Sequence, residues 1–197
     1  MKRVRLLLWL LVAVVAAGAL WLFARPVPSA SPPTPTTFAS IGGPFTLTAS
    51  DSKPFSSRQL AGKPYALFFG FTNCPDVCPT TLARLVRLRR QLGGSDAAFQ
   101  ILFVSVDPER DHPAQLKRYV SLYDTPIVAL TGSPAEIERV KKTFGIYSAK
   151  VPQPGGGYSV DHSAAVLLFG KDGAFGGTIA PDESDAPALE KLRRLTA

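Results

Sequence analysis

The chain of 197 residues has room for one domain plus an appendage, and with 46% apolar and 19% charged residues it can bury a core, which excludes a wholly disordered protein. Its formal charge is +7, but Lys2, Arg3, Arg5 and Arg25 hold four of the 22 basic residues in a stretch without acids, and the remaining 18 against 15 acidic residues leave +3. So small an excess gives no reason to invoke nucleic acid as a partner.

Leu6 to Phe23 is an uncharged apolar run of 18 residues. As a helix rising about 1.5 Å per residue it spans about 27 Å, enough for a thin hydrocarbon core. The basic residues ahead of it keep the N-terminus cytoplasmic by the positive-inside rule, with Trp9 and Trp21 near the two ends as interfacial anchors. Ala17-Gly18-Ala19 has the small-x-small pattern of a cleavable signal. Leu20-Trp21-Leu22-Phe23 prolong the run past it, which favours an uncleaved anchor over residues 1–24. No cysteine follows to take a lipid. Residues 25–37 hold Pro26, Pro28, Pro32, Pro33 and Pro35 among Ser, Thr and Ala, the composition of a semi-extended linker. The domain expected over 38–197 then lies outside the cytoplasm, where a cysteine pair is oxidised unless something reduces it.

From Phe38 to Leu60 short apolar pieces alternate with Gly42-Gly43-Pro44 and Asp51-Ser52-Lys53-Pro54, which reads as a small hairpin. Tyr65 to Phe69 is a buried strand bounded by Gly70, and Pro79 suits the first turn of the helix that follows. Phe99 to Val106 is a second buried strand, ended by Asp107-Pro108, with a helix over Pro113 to Leu122. Ile127 to Leu130 is a short strand, and Ser133-Pro134-Ala135-Glu136 starts a helix that runs to about Phe144. This βαβαβα alternation implies a largely parallel sheet covered by helices. Gly145 to Tyr158, with Pro152, Pro154 and Gly155-Gly156-Gly157, reads as an exposed, mobile loop. Ser163 to Phe169 and Ala174 to Ile179, joined at Lys171-Asp172-Gly173, form an antiparallel pair that makes the central sheet mixed, and Pro187 to Leu195 is a last helix.

Gly70-Phe71-Thr72-Asn73-Cys74-Pro75-Asp76-Val77-Cys78-Pro79 holds the only two cysteines of the chain, at the point where a strand ends and a helix begins. The unpaired amides and positive dipole end of that helix favour a thiolate, so a depressed thiol pKa is expected there. Three residues separate the cysteines, and both can face one point as a disulfide or as two metal ligands. Past the linker the other soft donors are His112 and His162, with no methionine. His162 precedes a strand whose adjoining loop a wound sheet brings toward the cysteine turn. Two thiolates and one imidazole make a trigonal site whose soft donors select Cu(I), whereas structural zinc wants a fourth protein ligand. A structural disulfide and an ordinary strand-end histidine are the plain alternatives. Asp107 reads as a cap of the next helix or as a hydrogen-bond acceptor near the metal site, and Asp161 as a group that could orient His162, with structural roles favoured for both; His112 reads as exposed.

Cys74-Pro75-Asp76-Val77-Cys78-Pro79, Val106-Asp107-Pro108-Glu109-Arg110-Asp111 and Val160-Asp161-His162-Ser163, in that order, resemble the SCO/SenC family of copper-binding assembly factors for cytochrome c oxidase, over roughly Phe38 to Leu195. The resemblance implies a thioredoxin-like fold, a single-pass inner-membrane anchor with the domain in the periplasm, and copper held by Cys74, Cys78 and His162. It also implies delivery of copper to, or reduction of cysteines in, the dinuclear copper site of oxidase subunit II, with thioredoxin-like reductants keeping the pair reduced. Asn73 departs from the histidine that many relatives carry there, and the residues just before Asp161 are glycine-rich and uncharged.

Two other functions fit the same residues. A thiol-disulfide oxidoreductase would use Cys74 and Cys78 as its redox-active pair, although that class usually spaces its cysteines by two residues and carries a proline beside them, and none occurs from Gly155 to Ala180. A peroxidase would need a threonine and an arginine beside its nucleophilic thiolate. Thr72 is present, but a second cysteine so close in sequence is less usual there.

Overall fold

From Thr46 the chain runs as β1 (Thr46–Ala49), β2 (Pro54–Ser56), β3 (Tyr65–Gly70), α1 (Val77–Gln91), β4 (Gln100–Ser105), α2 (Pro113–Val120), β5 (Val128–Thr131), α3 (Pro134–Phe144), β6 (Ser148–Pro152), β7 (Tyr158–His162), β8 (Val166–Phe169), β9 (Phe175–Ile179) and α4 (Asp185–Thr196). The computed structural model describes Trp9 and residues 41–93 and 98–196. Apart from Trp9, the expected anchor over 1–24 and linker over 25–37 lie outside the described residues, and among those described no helix is long and apolar enough to cross a membrane. All elements from β1 to α4 lie in the unit Phe38–Ala197.

Seven strands form one mixed sheet in the order β2-β1-β5-β4-β3-β8-β9. β3, β4 and β5 are mutually parallel, with Phe68 opposite Phe103 and Gly70 opposite Ser105. β1, β2, β8 and β9 join antiparallel. β3 is central because every residue of Tyr-Ala-Leu-Phe-Phe-Gly is buried, so both faces are covered and a continuous apolar run replaces alternation. Each phenylalanine or leucine sealed there stabilises the fold by about 1.5–3 kcal/mol. The expected N-terminal hairpin, β1 with β2, joins the main sheet, since β1 also pairs with β5.

The helices begin and end where local chemistry allows. Ser133 caps α3, its hydroxyl accepting from the Glu136 amide while Glu136 reaches back to the Ser133 amide, and Gly145 ends the helix at φ +66°, a conformation that suits glycine. α4 packs on β8 and β9. It is tied to α1 by Asp185, which accepts from Arg84 at 2.8 Å and from Arg87 at 2.7 Å.

The stretch expected as a mobile loop over Gly145 to Tyr158 is organised differently. Ser148–Pro152 and Tyr158–His162 pair antiparallel as a separate two-stranded sheet, with Ser148 opposite His162. Only the turn between them keeps the glycine character, Gly155, Gly156 and Gly157 all having positive φ. Most of β6 is exposed, so the hairpin shows little of the apolar alternation by which strands are read from sequence.

Candidate metal centre

At its C-terminal end β3 delivers the chain into Phe71–Asp76, and α1 starts at Val77, which puts Pro79 in its first turn as expected. Cys78 is therefore already helical, and Pro79 sits where a helix does not need its N–H. The N-cap residue Asp76 makes no side-chain capping bond. The Cys74 sulfur accepts from the Cys78 amide instead, at 3.4 Å, so a sulfur occupies the place of a cap. Gly70 makes the approach possible: a Cβ on it would lie 2.8 Å from the Cys78 Sγ and 2.8 Å from Phe103 Cε2. Both cysteines are free thiols, Cys78 sealed in the core and Cys74 half-buried.

His162 arrives from the other side at the end of β7. Its Nε2 lies 3.5 Å from the Cys78 Sγ, and its Nδ1 lies 3.0 Å from the Ser163 carbonyl oxygen. A carbonyl oxygen only accepts, so Nδ1 carries the proton and donates it, leaving the Nε2 lone pair toward the sulfurs. The edges of Phe68 and Phe71 pack against the imidazole, with centroids 6.1 and 5.8 Å away.

The two sulfurs and one ring nitrogen all lie within 4.8 Å of one another. One ion bound at about 2.3 Å by sulfur and about 2.0 Å by nitrogen needs donors roughly 4 Å apart, so the cluster fits a single metal. Among the described residues these three are the only group of histidine, cysteine or acidic side chains placed this way. The sequence pattern predicts a depressed thiol, but at Cys78 the opposite holds. Burial pushes that thiol far up, Cys74 and the Asp111 carboxylate push the same way, and a hydrogen bond with the Phe71 backbone offsets only part of it. Loss of water around a charge outweighs the fractional charge of a helix end. Cys78 therefore stays protonated until a cation takes the proton's place.

The remaining sequence candidates separate cleanly. Asp76 is exposed and accepts from the Thr80 hydroxyl at 3.2 Å. His112 is exposed at the start of α2 with no capping bond, away from the cluster. Asp161 points outward, and the Ser163 carbonyl takes the orienting role on the imidazole. Thr72 donates its hydroxyl to Asp111 at 2.6 Å and is committed there. Asp107 is buried but caps no helix: it accepts from the Tyr158 hydroxyl at 2.7 Å and pairs with Arg110. Arg110 and Asp111 stand in the second of the three motifs without an assigned role, and Tyr158 only at the end of the expected loop. Asp111, fully buried, accepts from the Thr72 amide at 2.9 Å, the Thr72 hydroxyl, and the Ser105 hydroxyl at 2.6 Å. The available signal was the run Asp107-Pro108-Glu109-Arg110-Asp111 at the end of an apolar strand, four charges where a loop needs none.

A family model described as SCO1/SenC matches residues 33–197. Protein SCO2, mitochondrial, of Saccharomyces cerevisiae is 38% identical over 157 residues, which cover 78% of this chain and 52% of the yeast protein. The structure of Bradyrhizobium japonicum ScoI with copper bound is similar at 41% identity and a TM-score of 0.72, over 79% of this chain and 99% of that one. A structure of BsSco, described by a disulfide switch and as a member of the Sco family of cytochrome c oxidase assembly proteins, is similar at 29% identity and a TM-score of 0.64, over 81% of this chain and 95% of that one. The chain spans between 40% and 66% of the length of the curated relatives it matches first.

Proposed function

The chain belongs to the SCO1/SenC family, and from that premise we propose that it carries copper, held by Cys74, Cys78 and His162, for assembly of the dinuclear copper site of cytochrome c oxidase subunit II. The observation that carries the reading is the convergence of two sulfurs and one imidazole nitrogen within 4.8 Å. Two thiolates and an imidazole are soft donors that suit Cu(I), and a fourth protein ligand for structural zinc is missing from the cluster. Copper bound in a relative 41% identical supports the same choice.

Each ligand has its own part in carriage. His162, with its Nδ1 proton held by Ser163, presents Nε2 ready to coordinate. Cys78 gives up its proton on loading and, being sealed, retains the cargo. Cys74, half-buried, is the edge that an acceptor's sulfur or imidazole reaches first. Residues 1–24 serve as a single-pass inner-membrane anchor that keeps the domain in the periplasm, on the strength of the uncharged run Leu6 to Phe23. The test is a copper titration of the reduced full-length protein in detergent. Wild type takes up about one copper per chain, and His162→Ala weakens binding at least tenfold, the scale on which even groups that merely orient a ligand act. Unchanged affinity in that variant refutes the reading.

A second reading, reduction of a partner's cysteines, has its own supporting observation: both cysteines are free thiols and their sulfurs lie within 4.8 Å of each other. Cys74 and Cys78 would pass two electrons and two protons to a partner disulfide and themselves become a disulfide. Thioredoxin-like reductants would then restore the thiols. Turnover of insulin disulfides that is lost in Cys74→Ser and kept in His162→Ala identifies this activity apart from copper carriage.

A further inference from the structure

Resting on the copper reading, we propose that Asp107, Arg110 and Tyr158 are positioning residues that set the place of the His162 imidazole over the cysteine turn, independently of the thiols' own chemistry. The hairpin β6–β7 pairs only with itself and makes no ladder with the seven-stranded sheet. Ladder hydrogen bonds therefore do not fix its placement, which falls to the short link 163–165 into β8, the buried Val160 and the side-chain contacts at the start of β7.

The contacts that do so gather on the segment after β4. Tyr158, at the start of β7, donates its hydroxyl to Asp107 at 2.7 Å, and its carbonyl accepts from Arg110 Nη1 at 2.8 Å. The Arg110 guanidinium lies 3.8 Å from the Tyr158 ring centroid and 5.9 Å from that of Phe71, while its Nε pairs with Asp107. Phe71 in turn sets its edge against the His162 ring at 5.8 Å and 89°. One guanidinium thus joins the strand that carries the imidazole to the turn that carries the sulfurs. The other hairpin tie is the pair Lys150–Glu109 at 2.6 Å, with both side chains about half exposed. Water screens that pair, so it adds little to placement.

The same loop holds the cysteine side by a different residue. Asp111 binds Thr72 through both its amide and its hydroxyl, two residues before Cys74. The loop is a bracket with two arms, one for each set of ligands, and Asp107, Arg110 and Tyr158 form the histidine arm. Burying the Asp107 carboxylate costs solvation that its pairing with the partly exposed Arg110 only offsets, which fits a residue set kept for geometry.

The experiment uses the reduced full-length protein with Tyr158→Phe, which keeps the ring and removes only the hydroxyl, and Arg110→Gln as the harsher variant. Three readouts are compared: copper affinity by competition titration, the nitrogen coupling in the electron paramagnetic resonance spectrum of the Cu(II) form, and the dithiol–disulfide midpoint potential. Tyr158→Phe is expected to weaken copper binding roughly tenfold and reduce the nitrogen coupling, with the potential unchanged. In a His162→Ala background it is expected to change affinity no further, because its effect runs through the imidazole. Lys150→Ala is expected to leave all three readouts at wild-type values. A Tyr158→Phe effect that persists in His162→Ala, or a wild-type nitrogen signature in Tyr158→Phe, overturns the positioning role while the copper reading stands. A His162→Ala protein that binds copper as well as wild type overturns both.

Discussion

Gly70→Ala tests whether the packing that seats Cys78 governs the site. The new methyl would sit 2.8 Å from the Cys78 Sγ, 2.8 Å from Phe103 Cε2 and 3.2 Å from Phe68 Cε1. All three neighbours belong to fully buried residues, so none swings into solvent. Each 2.8 Å contact has to open by about 0.6 Å to reach the 3.4 Å at which ordinary contact begins. Alanine gains about 0.5–1 kcal/mol over glycine in a strand and overpacking a core costs about 1–3 kcal/mol, so the balance is a loss of up to about 2.5 kcal/mol. The larger effect falls on binding, because a sulfur displaced by that amount leaves the reach of an imidazole fixed from another element, and copper affinity drops about tenfold or more. Urea denaturation gives the first quantity and competition titration the second. In a Cys78→Ala background, where the sulfur is gone, Gly70→Ala is expected to lose part of its stability cost, the contacts with Phe103 and Phe68 remaining. A Gly70→Ala protein with wild-type stability and copper affinity refutes the argument, and so does an equal stability cost in the Cys78→Ala background.

Hydrogen bonds from Arg87 and Arg84 hold the Asp185 carboxyl below its ordinary range. A depressed carboxyl adds stability that is present above its unfolded value, about 4, and is lost as pH falls through the folded value. Urea midpoints of wild type should therefore exceed those of Asp185→Asn at pH 6 by less than about 1 kcal/mol, since the pair is partly exposed, and converge with them toward pH 3. A constant gap across that range counts against the assignment. Ser133→Ala removes the capping box of α3 and should cost about 1 kcal/mol in thermal unfolding, with copper affinity unchanged because the helix end lies outside the ligand set. Asp111→Asn should weaken the hold on Thr72 and shift the midpoint potential of the cysteine pair more than Tyr158→Phe does, as measured by thiol labelling in redox buffers.

What the residues revealed in advance, and what they withheld, follows from the range of the forces involved. β3 and β4 were legible as continuous apolar runs because both faces are covered. α3 was legible from Ser133, Pro134 and Glu136, since a cap is local chemistry. The candidate ligands stood out because the domain has so few soft donors and each lies at an element boundary. The cap of α1 was hidden because it is the Cys74 sulfur, which no capping preference includes. The raised Cys78 thiol was hidden because a helix dipole can be inferred from neighbours in sequence, whereas burial depends on Gly70, Phe103 and His162 arriving from elsewhere. Thr72 finds Asp111 39 residues away and Arg110 finds the Tyr158 carbonyl 48 residues away, pairings that no spacing rule anticipates.

Retention and release make opposite demands on one site, and the two cysteines divide them. A ligand that is wholly sealed holds an ion against water but offers an acceptor no path, while three exposed ligands would lose the ion to any competing thiol. Here Cys78 is sealed and Cys74 is half-buried, so exchange can begin at one sulfur while the other and the imidazole still hold. That order of events needs the imidazole to stay in place after Cys74 lets go. A hairpin unattached to the main sheet would not guarantee it unless side chains fasten it. Tyr158, Arg110 and Asp107 sit where that fastening is required, so exchange starting at Cys74 predicts that Tyr158→Phe speeds copper loss to a small chelator more than it slows loading. Stopped-flow transfer to a Cu(I) chelator measures both rates, and a variant that slows loading while leaving loss unchanged contradicts this order of release.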